Sequence, residues 1–225
     1  MDNNPFNICS LDPKSNCIDC RNQKFINCKF DKSLQKLSVQ IHFSLIIIAL
    51  IGLSATAIII NNWWIFIIYI LFIFLFFFVI EIRLTCIHCP YYAENTKRLS
   101  CPENFIAIKI WRFRPEPMSR FERIGSKTCF IFIGGFPIII QLYGIYYFII
   151  QKSNVNLITL IGLIGIFIAT IITLLIFAKI FLNLFCIKCI NFSCPFNKVP
   201  KEIRNEYIKR NPILKSAWEK KGYKF

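Results

Sequence analysis

Three long stretches of the chain contain no charged side chain. They run from Leu37 to Ile80, from Thr128 to Gln151 and from Ser153 to Ala178. A membrane-spanning helix needs about 20 mostly apolar residues, so the first stretch holds two spans and each of the others holds one. Backbone groups in lipid must form their hydrogen bonds within the segment, which makes each span a helix. The sequence therefore predicts an all-α integral membrane protein with four transmembrane helices.

Short polar turns pair these helices into two antiparallel hairpins. Asn61-Asn62 forms the first turn, and residues 151–156 form the second. The predicted segments are an N-terminal segment 1–38, a transmembrane hairpin 39–83, a central loop 84–127, a second hairpin 128–185 and a basic tail 186–225.

The formal net charge of +15 has a strongly uneven distribution along the chain. Six Lys and Arg residues lie in segment 1–38, nine lie in 81–127 and ten lie from residue 186 onward, whereas Lys152 is the one basic residue in the two turns. This asymmetry predicts that both termini and the central loop are cytoplasmic. We expect a multi-pass cell-membrane protein whose basic segments face the bilayer, and no nucleic-acid partner, because a membrane-facing surface accounts for the charge.

Cysteines form the second strong pattern, since ten of the eleven lie in the three basic segments. A C-x-x-C pair followed by a third cysteine occurs three times. The three sets are Cys17, Cys20 and Cys28; Cys86, Cys89 and Cys101; and Cys186, Cys189 and Cys194. A closed structural zinc site takes four Cys or His ligands, so each set is one ligand short. We expect sets to share ligands, or Cys9 or a histidine to complete them.

Two of the pairs follow spans two and four and therefore leave the membrane on the same face. If the hairpins are equivalent halves of a repeat, Cys86, Cys89, Cys186 and Cys189 converge into one four-thiolate site. The remaining cysteines, Cys101 and Cys194 together with the N-terminal set, would then lie nearby.

Zinc and an iron–sulfur cluster both fit tetrahedral thiolate ligation. Cys-Pro occurs three times, as at the end of a bacterial ferredoxin loop, although the compact C-x2-C-x2-C core of that loop is absent. Redox-active thiols and palmitoylated or structural thiols are the alternatives. Disulfides are disfavoured in the reducing cytoplasm.

Several short segments of the loop and tail carry a resemblance to known proteins. They are Cys86-Ile-His-Cys-Pro-Tyr-Tyr92, Ser100-Cys-Pro102, Lys109-Ile-Trp111, Arg114-Pro115, Asn191-Phe-Ser-Cys-Pro195, Asn211-Pro212 and Ala217-Trp-Glu219. These segments resemble an uncharacterised family of small, cysteine-rich, four-span prokaryotic membrane proteins. The chain is also similar to the membrane-bound ferredoxin-like subunits of electron-transfer systems, which pair four spans with cytoplasmic Cys-Pro clusters. The resemblance implies that the cysteine-bearing segments are the functional part of the protein.

These patterns predict a membrane-anchored metal protein that acts in electron transfer or as a metal-dependent scaffold, with a membrane redox or transport partner. The alternatives are a thiol-redox membrane protein and a small transporter or channel. Transporters carry ionisable groups near the bilayer midplane, and these spans have none there. No nucleophile–base set, phosphate loop or paired-carboxylate motif points to an enzyme.

Overall fold

The computed structural model describes residues 4–12, 20, 24–104, 107–151 and 156–225. Four helices in this part of the chain are long and apolar enough to cross a membrane, which confirms the predicted all-α membrane fold. The α-helices are α1 (Lys32–Ile60), α2 (Trp64–Leu75), α3 (Glu81–Leu84), α4 (Arg120–Gln151), α5 (Leu157–Ile180), α6 (Lys201–Arg210) and α7 (Pro212–Lys220). Short 3-10 helices lie at Cys9–Leu11, Cys86–His88 and Pro90–Ala93.

The chain divides into two compact units. The membrane unit comprises Ser38–Phe76 and Thr128–Lys179, and the cysteine unit comprises Met1–Leu37, Phe77–Lys127 and Ile180–Phe225. The N-terminal segment, the central loop and the tail therefore fold together, although the two hairpins separate them along the sequence.

Both hairpins end in a π-helical turn before their cysteine pair. Phe76–Ile80 forms this turn after α2, and Phe181–Phe185 forms it after α5. A π-turn inserts an extra residue into a helix and is found most often at functional sites. The repeated turn agrees with the repeat that the sequence shows in the cysteines.

Close helix packing in the membrane unit depends on two glycines. A Cβ atom added to Gly52 would collide with the side chain of Gln141, and one added to Gly144 would lie 2.5 Å from Thr56 Cγ2. Small residues let transmembrane helices approach closely. Gln141 is itself buried, and its Nε2 donates a hydrogen bond of 3.1 Å to Thr170 Oγ1. Helix α4 thus packs against both α1 and α5.

Helix α4 continues through Pro137, which leaves one backbone carbonyl without a helical donor. Proline has no N–H, so the carbonyl of Ile133, four residues earlier, loses its partner. The Tyr69 hydroxyl donates to this carbonyl oxygen at 2.9 Å. The Tyr69 ring stacks on Phe136 with a centroid distance of 5.6 Å. Helix α2 therefore supplies the hydrogen bond that the proline removes.

We expect Tyr69→Phe to lower the free energy of unfolding by about 1–2 kcal/mol, because the buried carbonyl of Ile133 loses its donor. Adding Pro137→Ala should recover most of the loss, since the new N–H can donate to the same carbonyl. Equilibrium unfolding in mixed detergent micelles measures both. Tyr143→Phe is the matched control, because Tyr143 is 48% exposed. An equal loss with and without Pro137→Ala would contradict this role of Tyr69.

A hydrophobic core joins the three segments of the cysteine unit. Its buried members include Ile8 and Ile26 from the N-terminal segment, Ile87 from the loop, and Ile190 and Ile208 from the tail. A backbone hydrogen bond connects the N-terminal segment to the tail, because the Asn27 N–H donates to the Lys188 carbonyl at 2.8 Å. Within the loop, the Arg114 N–H donates to the Ile87 carbonyl, also at 2.8 Å.

Helix α4 begins at Arg120, eight residues before the uncharged stretch, because a capping box starts it there. The Glu122 carboxylate accepts the Ser119 N–H at 2.8 Å, and Ser119 Oγ accepts the Glu122 N–H at 3.2 Å. The same carboxylate contacts Arg114 at 3.0 Å and Arg83 at 3.4 Å. Its other oxygen lies 3.5 Å from Nε2 of His88. Glu122 therefore holds the loop that follows α3.

Candidate metal centre

All six cysteines of the loop and the tail lie in one group within the cysteine unit. Each is a thiol and none forms a disulfide: Cys86, Cys89, Cys101, Cys186, Cys189 and Cys194. The sulfur of Cys89 is in electrostatic range of those of Cys101, Cys189 and Cys194. The loop set and the tail set are therefore neighbours, and Cys101 and Cys194 lie with the C-x-x-C pairs.

The first cysteine of each C-x-x-C pair, Cys86 or Cys186, belongs to this group as well. Cys86 is in electrostatic range of Cys89, Cys101 and Cys194. Cys186 is in range of Cys189 and Cys194. The four cysteines of the two pairs therefore lie in the same part of the cysteine unit as the third cysteine of each set. Their convergence into one four-thiolate site stays a prediction.

Backbone N–H groups point at the second cysteine of each pair. The Tyr91 N–H donates to the sulfur of Cys89. The Asn191 N–H donates to Cys189 Sγ, with a nitrogen–sulfur distance of 3.4 Å. The donor follows its cysteine by two residues in both cases, so the loop and the tail repeat the same local geometry.

A second repeat surrounds the third cysteines. The segments Cys101–Asn104 and Cys194–Asn197 both read Cys-Pro-x-Asn. In each segment the backbone N–H groups of the last two residues favour the thiolate form of the cysteine. The Asn197 N–H also donates to the Cys194 carbonyl at 3.1 Å. Sequence analysis based on cysteine spacing alone missed this motif, although its four letters stand in the sequence and distinguish these two sets from the N-terminal one.

The thiols are protonated at neutral pH in the structure as it stands. Burial is the main cause that raises the pKa of Cys101 and of Cys189 to about 12, and that of Cys194 to about 11. The N–H donors act in the opposite direction, because they stabilise the thiolate. The backbone N–H groups near Cys89, Cys101, Cys189 and Cys194 therefore stabilise the thiolate form, whereas burial of the same sulfurs destabilises it. A bound cation would remove this conflict.

Two glutamates lie beside the sulfurs. Glu81 is in electrostatic range of Cys86 and Cys194. Its carboxylate accepts a hydrogen bond of 2.9 Å from Asn104 Nδ2. Glu103 is in range of Cys101, of Cys186 and of Cys189. Deprotonating the thiols here is costly unless a positive charge is bound.

Side-chain amides of the tail hold the two halves of the group together. Asn191 Nδ2 donates to the Thr85 carbonyl at 2.9 Å, a contact between residues 106 positions apart. Asn197 Nδ2 donates to the Cys189 carbonyl at 2.7 Å. The first bond connects the tail to the turn before Cys86, and the second lies within the tail and holds the turn around Cys189.

Two of the N-terminal cysteines contact the end of α6 and the residue after it. Cys17 is outside the described residues. Cys20 accepts a hydrogen bond from Arg210 at 3.1 Å, and Cys9 accepts one from Asn211 at 3.4 Å. Cys28 is buried. Helix α6 and the residue that follows it therefore contact this third set.

No set of three or more Cys, His, Asp or Glu side chains in the described part of the chain is arranged to hold a metal ion as it stands. The described part of the chain therefore shows no metal site. The chain matches no protein-family model, no curated protein and no solved structure. The resemblance to cysteine-rich four-span proteins stays a prediction.

Proposed function

We propose that this protein is a membrane-anchored metal protein with a cysteine-ligated centre shared between its central loop and its tail. The observation that carries the proposal is the set of backbone N–H donors on Cys89, Cys101, Cys189 and Cys194. Donors of this kind stabilise sulfur as a thiolate, which is the form that binds metals. Two sulfurs come from each half, and four complete a tetrahedral site.

Zinc and an iron–sulfur cluster are the two cofactors that fit four thiolates. A zinc centre would serve as a scaffold that ties the loop to the tail, with Zn–S distances of about 2.3 Å. An iron–sulfur centre would transfer electrons to a redox partner at the membrane. Cys86 and Cys186 receive no such donor among the contacts described above, so we place them beside the four ligands.

Thiol chemistry and transport are less well supported. Reactive cysteines have a lowered pKa, whereas burial raises the pKa of Cys89, Cys189 and Cys194. The buried polar pair in the membrane unit, Gln141 and Thr170, is uncharged. Ion pathways commonly use ionisable groups at such positions.

The proposed orientation places the cysteine unit in the cytoplasm. Its support is the distribution of Lys and Arg, since 25 of the 27 lie in the cysteine unit and Lys152 and Lys179 are the other two. A reducing compartment also suits a group of six thiols. A reporter fused after Phe225 should remain inside the cell, and reporters inserted at Asn61 or Ser153 should be outside.

Metal analysis of protein purified without oxygen, together with its visible spectrum, tests the proposal. A colourless zinc protein indicates a scaffold, and absorption at about 400 nm indicates an iron–sulfur centre. Cys89→Ser and Cys189→Ser should each lower the metal content of the loop–tail centre. Cys129→Ser is the control, because Cys129 lies in the membrane unit. Wild-type protein without metal, or with metal that both variants retain, would refute the proposal.

A further inference from the structure

We propose that the first two turns of α4 form a surface that binds phospholipids whose headgroups carry a net negative charge. Three basic and two apolar side chains of the cysteine unit make up this surface: Arg120, Arg123, Lys127, Phe121 and Ile124. The surface contains no cysteine and none of the N–H donors described above. It therefore does not depend on the proposed metal centre.

Helix α4 is too long to lie wholly within the hydrocarbon core of a bilayer. It has 32 residues and so extends for about 48 Å, whereas that core is about 30 Å thick. The uncharged stretch begins at Thr128, so the eight residues before it are the part that extends beyond the core. These residues cover about 12 Å of helix, which includes the depth of the phospholipid headgroups.

The same eight residues have one buried face and one exposed face. Glu122 and Ser126 lie four residues apart on the buried face. All five residues of the proposed surface are exposed, and among them Phe121 is 80% exposed and Ile124 is 64% exposed. Large apolar side chains that are exposed among cations are suited to the boundary between headgroups and acyl chains.

Basic and apolar side chains occupy different halves of the exposed face. Successive residues are about 100° apart around an α-helix, so Arg123, Lys127 and Arg120 lie side by side on one half. The two apolar residues of the surface lie on the other half. Ile131 follows Ile124 by seven residues, lies on the same side of the helix and is 72% exposed. The apolar half therefore continues into the uncharged stretch of the same helix.

The three basic residues of the surface form no ion pair with any residue that the structure describes. The one carboxylate in these turns, that of Glu122, contacts Arg114 at 3.0 Å and Arg83 at 3.4 Å. It lies on the buried face and is shared by those two cations. Positive charge therefore exceeds negative charge at the exposed face. Phosphate would balance this excess, and an arginine can donate two parallel hydrogen bonds to it.

An anionic lipid accounts for both halves of the surface, whereas a soluble anion accounts for the basic half alone. The headgroup phosphate would pair with the basic residues, and the start of the acyl chains would pack against Phe121 and Ile124. A zwitterionic lipid carries an ammonium group that cancels the charge of its phosphate. Basic residues near a membrane surface therefore favour lipids with net negative charge.

The first test measures lipid binding to the purified full-length protein by native mass spectrometry. We expect the wild type to prefer phosphatidylglycerol to phosphatidylcholine by on the order of 100-fold, because each basic residue near a membrane contributes about 5-fold. A triple variant that combines Arg120→Gln, Arg123→Gln and Lys127→Gln should bind both lipids equally. The replaced side chains are exposed, so the fold should tolerate the changes.

The matched control combines Lys201→Gln, Lys209→Gln and Lys220→Gln, because these lysines are exposed on α6 and α7 and the net charge changes by the same amount. This control should keep the preference for phosphatidylglycerol. Equal binding of the two lipids by the wild type would overturn the inference. An equal loss of preference in the two triple variants would overturn it also, since net charge alone would then explain the binding.

A second test separates a lipid from a soluble phosphate. Phe121→Ala combined with Ile124→Ala should weaken phosphatidylglycerol binding about 10-fold, because apolar contact area is lost while the cations remain. Glycerol phosphate, which has the phosphate without the acyl chains, should not compete at equal concentration. Competition by glycerol phosphate at that concentration would overturn the lipid assignment, and so would full phosphatidylglycerol affinity in the double variant.

Discussion

Zinc titrated into the metal-free protein at pH 7 is expected to release about four protons at the loop–tail centre. Burial raises the pKa of Cys89, Cys101, Cys189 and Cys194, the last three to about 12, 12 and 11. At pH 7 all four sulfurs therefore carry protons before the ion binds. A metal ion binds the thiolate, so each ligand loses its proton on binding.

The sign of the pH dependence follows from these protons. The metal-free state binds more protons than the metal-bound state, so the apparent affinity rises with pH. Four protons correspond to a change of roughly 10,000-fold for each pH unit, up to the lowest thiol pKa. Calorimetry in buffers with different ionisation enthalpies counts the protons directly. Release of fewer than about two would show that these four thiols are not the ligand set.

Asn191→Ala is expected to weaken metal binding by about 10- to 100-fold and to lower the free energy of unfolding by about 1–3 kcal/mol. The amide is buried with 4% exposure, and it donates to the Thr85 carbonyl just before Cys86. Its removal leaves that carbonyl without this donor and frees the loop set to move relative to the tail set. The backbone N–H of residue 191 remains, so the bond to Cys189 Sγ is not lost directly.

The control for this variant is Asn183→Ala, because Asn183 is exposed in the same unit and contacts Lys198 at 3.5 Å. We expect it to change neither metal affinity nor stability. Competition with a chromophoric chelator measures affinity, and chemical unfolding measures stability. Loss of stability with full metal affinity in Asn191→Ala would mean that the bond to Thr85 stabilises the fold without positioning the sulfurs.

Hydropathy and charge determined the membrane architecture from the sequence alone. The uncharged stretch from Leu37 to Ile80 is too long for one helix and is interrupted by Asn61-Asn62, which makes a hairpin the direct expectation. Whether a segment enters the membrane as a helix depends on the residues of that segment, so the spans can be predicted without knowledge of distant contacts. The spacing of Cys86 and Cys89, repeated at Cys186 and Cys189, likewise stands in the sequence.

Tertiary structure decided which sulfurs are neighbours and which groups donate to them. The bond from Asn191 to Thr85 and the contact of Arg210 with Cys20 join residues 106 and 190 positions apart. The hydroxyl of Tyr69 on the Ile133 carbonyl is a contact of the same kind. Such pairs depend on how helices and turns pack, and no local pattern specifies them. Sequence predicted a group of cysteines, whereas packing placed Cys101 and Cys194 near the pairs and put Cys20 and Cys9 in contact with Arg210 and Asn211.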